Sequence, residues 1–590
     1  VWGIAVKKVP VLIVGGGGAG LACSSYLSLM GIETLLVSAL PTTSLLPKAH
    51  ELNQRAMEVL SDLGLREAVE EIGTPPDNMR TSSIEIGFAG HPSAGQTLWK
   101  LECWGAAGQD PEWLLASPYP HCNLPQMHLE PLMKKRAEEL APESVLFGHK
   151  LIDLVQDDDG VTSTIENLAT GETYQVRSDY VIAADGGRTV GKIVGIELEG
   201  VQNAAQEVSV HFSADLSGFG GNEDTLIRWI MLPHDDSAMC VLVPMGPKNW
   251  GTKSEEWVYH SNYEIGDPRV DDEEAIISDM RERLGIGDHP LQIHLVSRWF
   301  LGGVLADKFS VGRVFAVGDA AHRHPPTGGL GLNSALHDAQ NLCWKLAFVV
   351  RGLAEPTLLQ TYEPERRPVD ARNVQRAVEN SFQWIVSVME LGLGASDEST
   401  EEKWRRMERI LSSDPAHREE RAKVITAIQA HSMEFHEHAV EFGYEHASSA
   451  VIADGTESSA DPDFHRFTPE ARPGHPLPHA WLRDVYSQEL STLDLVDTSS
   501  FLLIAGEDAD SWLEAGRALE AEGLPIRSVS IGHLKGEYFD HRVRWQHVRG
   551  HGPEGAVLVR PDRCIAFRAH HAVDDAQSTL RSVLNNVLGR

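Results

Sequence analysis

Positive charge is scarce in this sequence. Its 590 residues hold 51 Lys and Arg against 85 Asp and Glu, a formal charge of −34. So acidic a surface argues against binding nucleic acid or an anionic membrane. Solubility is a plainer reason for it than adaptation to salt. Long apolar runs are also lacking: none approaches the roughly 18 residues that a membrane helix needs. The chain opens on Val1 with no apolar stretch and small-residue cleavage site of a signal peptide. Cysteine is sparse: Cys23, Cys103, Cys122, Cys240, Cys343 and Cys564 form no CxxC and no metal-ligand spacing. Several lie in apolar runs, as buried thiols do, which fits a reducing cytoplasm.

What is present is an ordinary globular composition, 42% hydrophobic and 23% charged, in a chain long enough for several domains. Residues 11–41 read VLIVGGGGAGLACSSYLSLMGIETLLVSALP. An apolar run, a glycine turn, a helical pattern and a second apolar run make a β-α-β unit. The turn, Gly15-x-Gly17-x-x-Gly20, is a dinucleotide fingerprint in its proper context. Its glycines let backbone N–H groups approach a pyrophosphate at a helix N-terminus. An acid for the ribose is expected about 20 residues on. That place reads Leu36-Val37-Ser38-Ala39, with no acid.

Further along, residues 47–72 carry Leu52, Met57, Leu60, Leu63 and Leu65 at helical spacing, and 126–140 read as a helix. Residues 80–104 and 205–300 alternate as strands do. A strand at 180–183 leads into Ala184-Asp185-Gly186-Gly187-Arg188, which alone is an ordinary Asp-Gly turn. Another strand leads into GDAAHRHPPTGGLGLN, Gly318 to Asn333. There Asp319 is placed to accept from sugar hydroxyls. Gly328, Gly329 and Gly331 open a helix whose free N–H groups suit an anionic ring edge. Residues 372–450 are polar and mostly helical, and 452–480 are rich in Pro, Gly, Asp and Ser, a boundary. The remainder reads as a small α/β unit.

These three motifs, in this order, resemble the FAD-dependent aromatic hydroxylases of the p-hydroxybenzoate and phenol hydroxylase superfamily. PKAHELNQRAMEVLSDLGL and LPQMHLEPLM are similar to the branch holding chlorophenol and hydroxybiphenyl monooxygenases. The resemblance spans the chain and implies an α/β fold of three domains and a helical connection. A discontinuous Rossmann-like FAD domain takes 1–80, 120–200 and 300–395. An antiparallel substrate sheet takes 81–119 and 201–299, and a helical connection takes 396–480. A thioredoxin-like domain, including GAVLVRPDRCIAFR, takes 481–590. Lacking CxxC, that domain serves packing or oligomer contact rather than thiol redox.

The resemblance implies FAD as cofactor, NADH or NADPH as co-substrate, O2, and a small aromatic substrate. It places Gly15, Gly17, Gly20, Ser38, Lys48, Gln126, Asp185, Gly318, Asp319, Pro325, Gly331, Leu332 and Asn333 around the FAD. Ser38 stands where the family has a ribose-binding Glu, and Lys48 where it has Arg. Both substitutions weaken the grip on FAD in principle, the first by losing charge assistance, the second by losing the bidentate fork. The implied chemistry is a C4a-hydroperoxyflavin attacking an electron-rich ring, ortho to an existing hydroxyl. A base near the phenol oxygen assists, and His50 is the candidate. Arg188, Trp299 and Phe300 are candidates to line the pocket; for the aromatic pair, core packing is the commoner fate.

No metal is expected. His322 and His324 lack a third ligand, and His431, Glu434, His436 and His438 read as a polar helix face, with Glu434 and His438 one turn apart. A homo-oligomer in the cytoplasm is expected. Three other readings stand beside the phenol hydroxylase: a polyketide-type tailoring oxygenase, a degenerate FAD-binding module, and a flavin halogenase. The degenerate module rests on Ser38 and Lys48 alone, and the halogenases' WxWxIP stretch is missing.

Overall fold

The computed structural model describes residues 6–108, 110–436, 438–459, 461, 464 and 466–590. Three sheets organise it. In the first, strands run in the order Ser310–Val311, Val314–Ala316, Thr173–Ala183, Val6–Val14, Thr34–Ser38, Val145–Phe147. All but the edge strand 310–311 pair in parallel. Their central segments Val11–Val14, Leu35–Val37 and Val181–Ala183 are apolar without a break because both faces are covered. Helices Gly18–Leu29 and Leu330–Val350 pack on one face, and the hairpin His149–Asp157/Gly160–Asn167 on the other. Helix 330–350 is buried nearly all round, and its polar stripe of Ser334, Asp338, Asn341 and Lys345 is met by buried partners.

The second sheet runs His322–Arg323, Gln292–Ala306, Leu198–Ser213, Glu256–Tyr263, Met239–Pro244, Thr225–Met231, Thr81–Ile86, Gln96–Glu102. It is antiparallel except where 225–231 pairs with 81–86 in parallel. Along 207–213 the side chains alternate. Val208, Val210 and Phe212 pack on a helix, Glu273–Leu284, that the strand-rich reading of 205–300 omits. Asp272 caps that helix, and Gly285 ends it in the left-handed region. The opposite face carries Glu207, Ser209 and His211. At the far end Trp229 stacks on Trp384 of helix Tyr362–Glu390, centroids 3.7 Å apart, and His431 stacks beyond it at 3.8 Å.

The third sheet orders Glu489–Ser491, Trp481–Arg483, Tyr538–Phe539, Ile526–Gly532, Phe501–Ala505, Ala556–Val559, Ile565–Ala569, with helices Asp510–Ala521 and Ala576–Val587. This is the thioredoxin-like unit. Its one cysteine, Cys564, is buried, and burial pushes its thiol up to about 12. It meets helix 330–350 through apolar contact, Trp344 edge-on to Phe501, and through a dry charge cluster. There Arg560 donates to Glu365 at 2.6 and 2.8 Å, and Lys345 donates to the same carboxylate at 2.7 Å. All six cysteines are buried and unpaired. Among the described residues no helix is long and apolar enough to cross a membrane.

Candidate active site

The glycine turn joins strand 6–14 to helix 18–29. Gly15 has φ +125°, and a Cβ there would meet the Ala184 carbonyl oxygen at 2.0 Å. A Cβ on Gly20 would meet the Gly15 carbonyl oxygen at 2.0 Å. These two glycines are dictated by the protein itself. Gly17 is different: a Cβ there would find only a Glu130 oxygen, at 3.5 Å. Its missing side chain keeps space open over a helix start that Gly17 does not cap. Space over a helix N-terminus fits a pyrophosphate.

Glu130, which the sequence reading missed, accepts from Gly18 N at 3.0 Å and Ser44 N at 2.7 Å. Gln126 donates to the same carboxylate, and its own N–H bonds Lys48 O at 3.0 Å. Ser38 ends its strand buried, its hydroxyl accepting from Leu40 N at 3.3 Å. Lys48 is exposed, its side chain without a described partner. Asp185 turns inward on its own loop, accepting from Gly187, Thr189 and Val190 N–H groups. Its side chain thus does the work of an ordinary Asp-Gly turn. Asp319 is exposed beside it: a Cβ on Gly186 would lie 3.9 Å from the Asp319 Cβ.

Gly318 sits where helices 18–29 and 330–350 converge, with imagined Cβ contacts of 3.1 Å to Ala19 and Ala335. Its N–H bonds Asp338, which also bonds His322 at 2.7 Å and Arg366 at 2.8 Å. Arg366 bonds Asp370 at 2.7 Å. Burial opposes charge on His322, but Asp370 and Asp338 outweigh it and push the imidazole up to about 9. Arg366 fills this cluster, as a structural role for His322 requires.

Gly329 starts helix 330–350 in the left-handed region, and a Cβ there would strike Glu51 Oε2 at 2.5 Å. Asn333 is locked by that same Glu51 oxygen at 2.8 Å, by Gly329 O at 2.8 Å and by Asn53 N at 3.2 Å. Leu332 reaches back to Gly18, where a Cβ would lie 2.7 Å from its Cδ1. Thr327 ties the loop to Ala377 O at 2.7 Å, and Pro325 packs on Gly303. Gly331 faces space, its nearest neighbour being His324 Nδ1 at 3.7 Å. Both ring nitrogens of buried His324 lack a partner among the described residues. An uncapped helix start, open space at Gly17 and Gly331, and an orphaned buried imidazole fit a bound FAD.

The substrate side faces this loop. His50 lies before the two-residue strand Glu51–Leu52, which pairs with Cys122–Asn123. Its Nδ1 is 2.6 Å from Asn123 Oδ1, and Asn123 Nδ2 donates to Thr74 Oγ1 at 2.7 Å. Burial lowers the His50 pKa, with the Asn123 bond opposing. Across from it on the second sheet, Trp299 Nε1 donates to Ser209 Oγ at 2.9 Å. The same hydroxyl is 2.7 Å from His260 Nδ1. Burial, then the neighbouring His50, bring His260 down to about 4. Glu207, paired in register with Trp299, is pushed by burial up to about 8. Asn123, Ser209, His260 and Glu207 were not singled out from sequence. The alternation at 207–211 was the signal that could have found Glu207 and Ser209.

Phe300 does not join Trp299. It points to the other side of the strand and is about half exposed, at 49%. Arg188 is exposed at the Asp-Gly turn. The His431–His438 run is no single helix face: helices Ser432–Phe435 and His438–Phe442 are separate, and Glu437 lies outside the described residues. Glu434 accepts from Trp384, while His438 stacks on Trp113 and bonds Gln54.

A Rossmann-like dinucleotide site facing an aromatic-lined sheet defines a flavoprotein oxygenase class. A family model described as FAD binding domain matches residues 8–377, and one described as aromatic-ring hydroxylase, C-terminal, matches 470–590. The chain belongs to the FAD-dependent aromatic-ring hydroxylases. It is 34% identical to 2,4-dichlorophenol 6-monooxygenase of Delftia acidovorans, covering 99% of this chain and 98% of that one. It is 32% identical to phenol 2-monooxygenase of Pseudomonas sp. (strain EST1001), covering 98% and 93%. The solved flavin-dependent monooxygenase PieE, in complex with FAD and substrate, superposes with TM-score 0.90 at 37% identity, covering 99% of both chains. The protein is an FAD-dependent aromatic monooxygenase.

Proposed function

We propose that this enzyme hydroxylates a free phenolic ring ortho to its hydroxyl, consuming NAD(P)H and O2. The observation that carries this reading is His50 held through Nδ1 by Asn123, beside the loop that opens helix 330–350. FAD, when bound, would supply the relay that carries the reducing equivalents of NAD(P)H to O2. The chain's own tasks are separate. The Gly17 and Gly329 helix starts hold the anionic parts of the cofactor. His50 Nε2 draws the phenolic proton, raising electron density at the ortho carbon. The apolar face of Val243, Val258 and Phe435 keeps water out.

The test is NADH and NADPH oxidation by the FAD-loaded protein across substituted phenols, with O2 and peroxide counted. Substrate-stimulated oxidation yielding a catechol with little peroxide is expected. Failure of every phenol to stimulate refutes the reading. A second reading, a tailoring oxygenase for a larger ring system, is favoured by 30% identity to a putative polyketide hydroxylase of Streptomyces halstedii. Fused-ring phenols in the same panel separate the two. We also propose a cytoplasmic homo-oligomer. Six unpaired thiols support the compartment. Exposed Phe382, Ile385, Val386 and Met389, at helical spacing on one stripe of helix 362–390, support self-association.

A further inference from the structure

Among the described residues, histidine nitrogens and carboxylate oxygens gather in three places. In two of them a side-chain cation already stands among the acids. Arg366 bonds Asp338 at 2.8 Å and Asp370 at 2.7 Å beside His322. Arg560 bonds Glu365 at 2.6 Å and also Asp562, beside His446. The third group, His211, Glu256 and His294, has no lysine or arginine among its described partners.

This group is built where three strands of the second sheet run side by side. Ser213 pairs with Glu256 and His211 with Val258, so Glu256 is diagonal to His211 on one face. His211 Nε2 is 2.8 Å from Glu256 Oε2. On the other side His211 pairs with Leu295 and Phe212 with Ile293, which leaves His294 as the extra residue of a bulge. Regular pairing would set His294 opposite Phe212, on the face that packs helix 273–284. The bulge re-aims it. Its ring centroid lies 4.8 Å from that of His211, and Ser213 Oγ, 2.6 Å from its Nε2, orients the ring. One ligand atom from each of the three side chains lies within 4.8 Å of the others. His211 is buried, Glu256 partly buried and His294 exposed, so the group opens to solvent on one side.

We infer that His211, Glu256 and His294 bind a divalent transition-metal ion of the zinc class, which ties strands 198–213, 256–263 and 292–306 together at this end of the sheet. Two imidazoles and one carboxylate are a donor set of three-ligand zinc sites, and a fourth position stays open for water. Imidazole nitrogens favour zinc, nickel and copper over magnesium and calcium, which take oxygen. A tetrahedral ion with bonds of about 2.1 Å holds its ligand atoms about 3.4 Å apart. The His211–Glu256 pair opens a little to reach that spacing, and the exposed His294 swings in by side-chain rotation. The ion takes the place of the proton between His211 and Glu256, and that proton leaves to solvent. None of the three residues is assigned to FAD or to the phenol, so the inference stands apart from the proposed reaction.

The experiment titrates Zn2+ alone into the FAD-loaded full chain, freed of metal, by calorimetry. Wild type is expected to saturate with one ion per chain, and Mg2+ or Ca2+ in about 100-fold excess should not displace it. His294→Ala and Glu256→Gln should each weaken binding about 10-fold or more, with FAD content unchanged. His547→Ala, at an exposed histidine of the C-terminal unit, should leave binding as in wild type. The Tm should rise with Zn2+ in wild type and in His547→Ala, and stay flat in the two site variants. No saturable zinc binding, binding unchanged in either site variant, an equal loss in His547→Ala, or displacement by Mg2+ or Ca2+ overturns the inference.

Discussion

Arg560 offers the sharpest test of how the C-terminal unit is held. Its guanidinium is fully buried between Glu365 and Asp562, with Lys345 on the far side of Glu365. Two cations face two carboxylates, and Asn341 and Ser448 satisfy further Glu365 lone pairs at 2.7 and 2.6 Å. Arg560→Met removes one cation and leaves two carboxylates on one lysine in a dry interior. Breaking one side of such a cluster costs about 3–5 kcal/mol. Adding Asp562→Asn restores one cation to one carboxylate and should recover most of the loss, since a balanced apolar replacement is often neutral. Chaotrope unfolding of the FAD-loaded protein would be followed by tryptophan fluorescence, Trp344 lying 5.2 Å from the Arg560 guanidinium. The single variant should unfold at clearly lower urea, the double near wild type. Should the single variant not fold, Arg560→Lys, which keeps charge without the fork, should give an intermediate midpoint. A single variant as stable as wild type, or a double variant no better than the single, refutes the charge-balance argument.

Asn123→Leu frees the His50 tautomer and should lower kcat about 10–100-fold with FAD retained, while Asn123→Asp, still an acceptor, should keep much of the rate; steady-state kinetics decides. Glu207 holds its proton up to about 8 in the folded protein and releases it near its ordinary range when unfolded. Its contribution is therefore fully present below the unfolded pKa and declines as pH rises toward 8. Glu207→Gln should flatten that decline by up to about 1.4 kcal/mol per pH unit, read from unfolding midpoints at several pH values. Phe382→Glu with Met389→Lys should shift the native mass by light scattering to that of one chain, with the flavin spectrum unchanged.

The cofactor half was legible because its constraints are local. Gly15 and Gly20 are forced by carbonyls within 2.0 Å, and Gly329 by Glu51, so backbone need is written as glycine. Leu52, Met57, Leu60, Leu63 and Leu65 are all buried, but the helical run read over 47–72 is a strand, Glu51–Leu52, followed by two helices, Gln54–Asp62 and Arg66–Ile72. The substrate half was opaque because its residues meet only through strand pairing. Ser209, His260 and Trp299 come from three strands, and no spacing in the chain records that they converge. Trp299 and Phe300 looked alike in sequence, yet strand alternation sends them to opposite faces. The His431–His438 run misled because one helical period was assumed across a break. Glu130 hid inside a helix as an ordinary surface acid, though it binds two backbone N–H groups a hundred residues away.

Helix 330–350 begins at the flavin loop and is flanked along its length by Phe501, Arg560 and Asp562. During synthesis the segments reach the folding chain in order, and domains generally form as they emerge. The dinucleotide turn, both sheets and the flavin loop are complete by residue 333, yet the flank of Trp344 and Lys345 has no cover for another 150 residues. Until then an apolar surface and a lysine–glutamate pair face solvent. Maturation of this flavoprotein is thus a late event. The thioredoxin-like unit acts as a lock closed after the active site has been assembled, and truncation before residue 560 leaves that site on an unsupported spine.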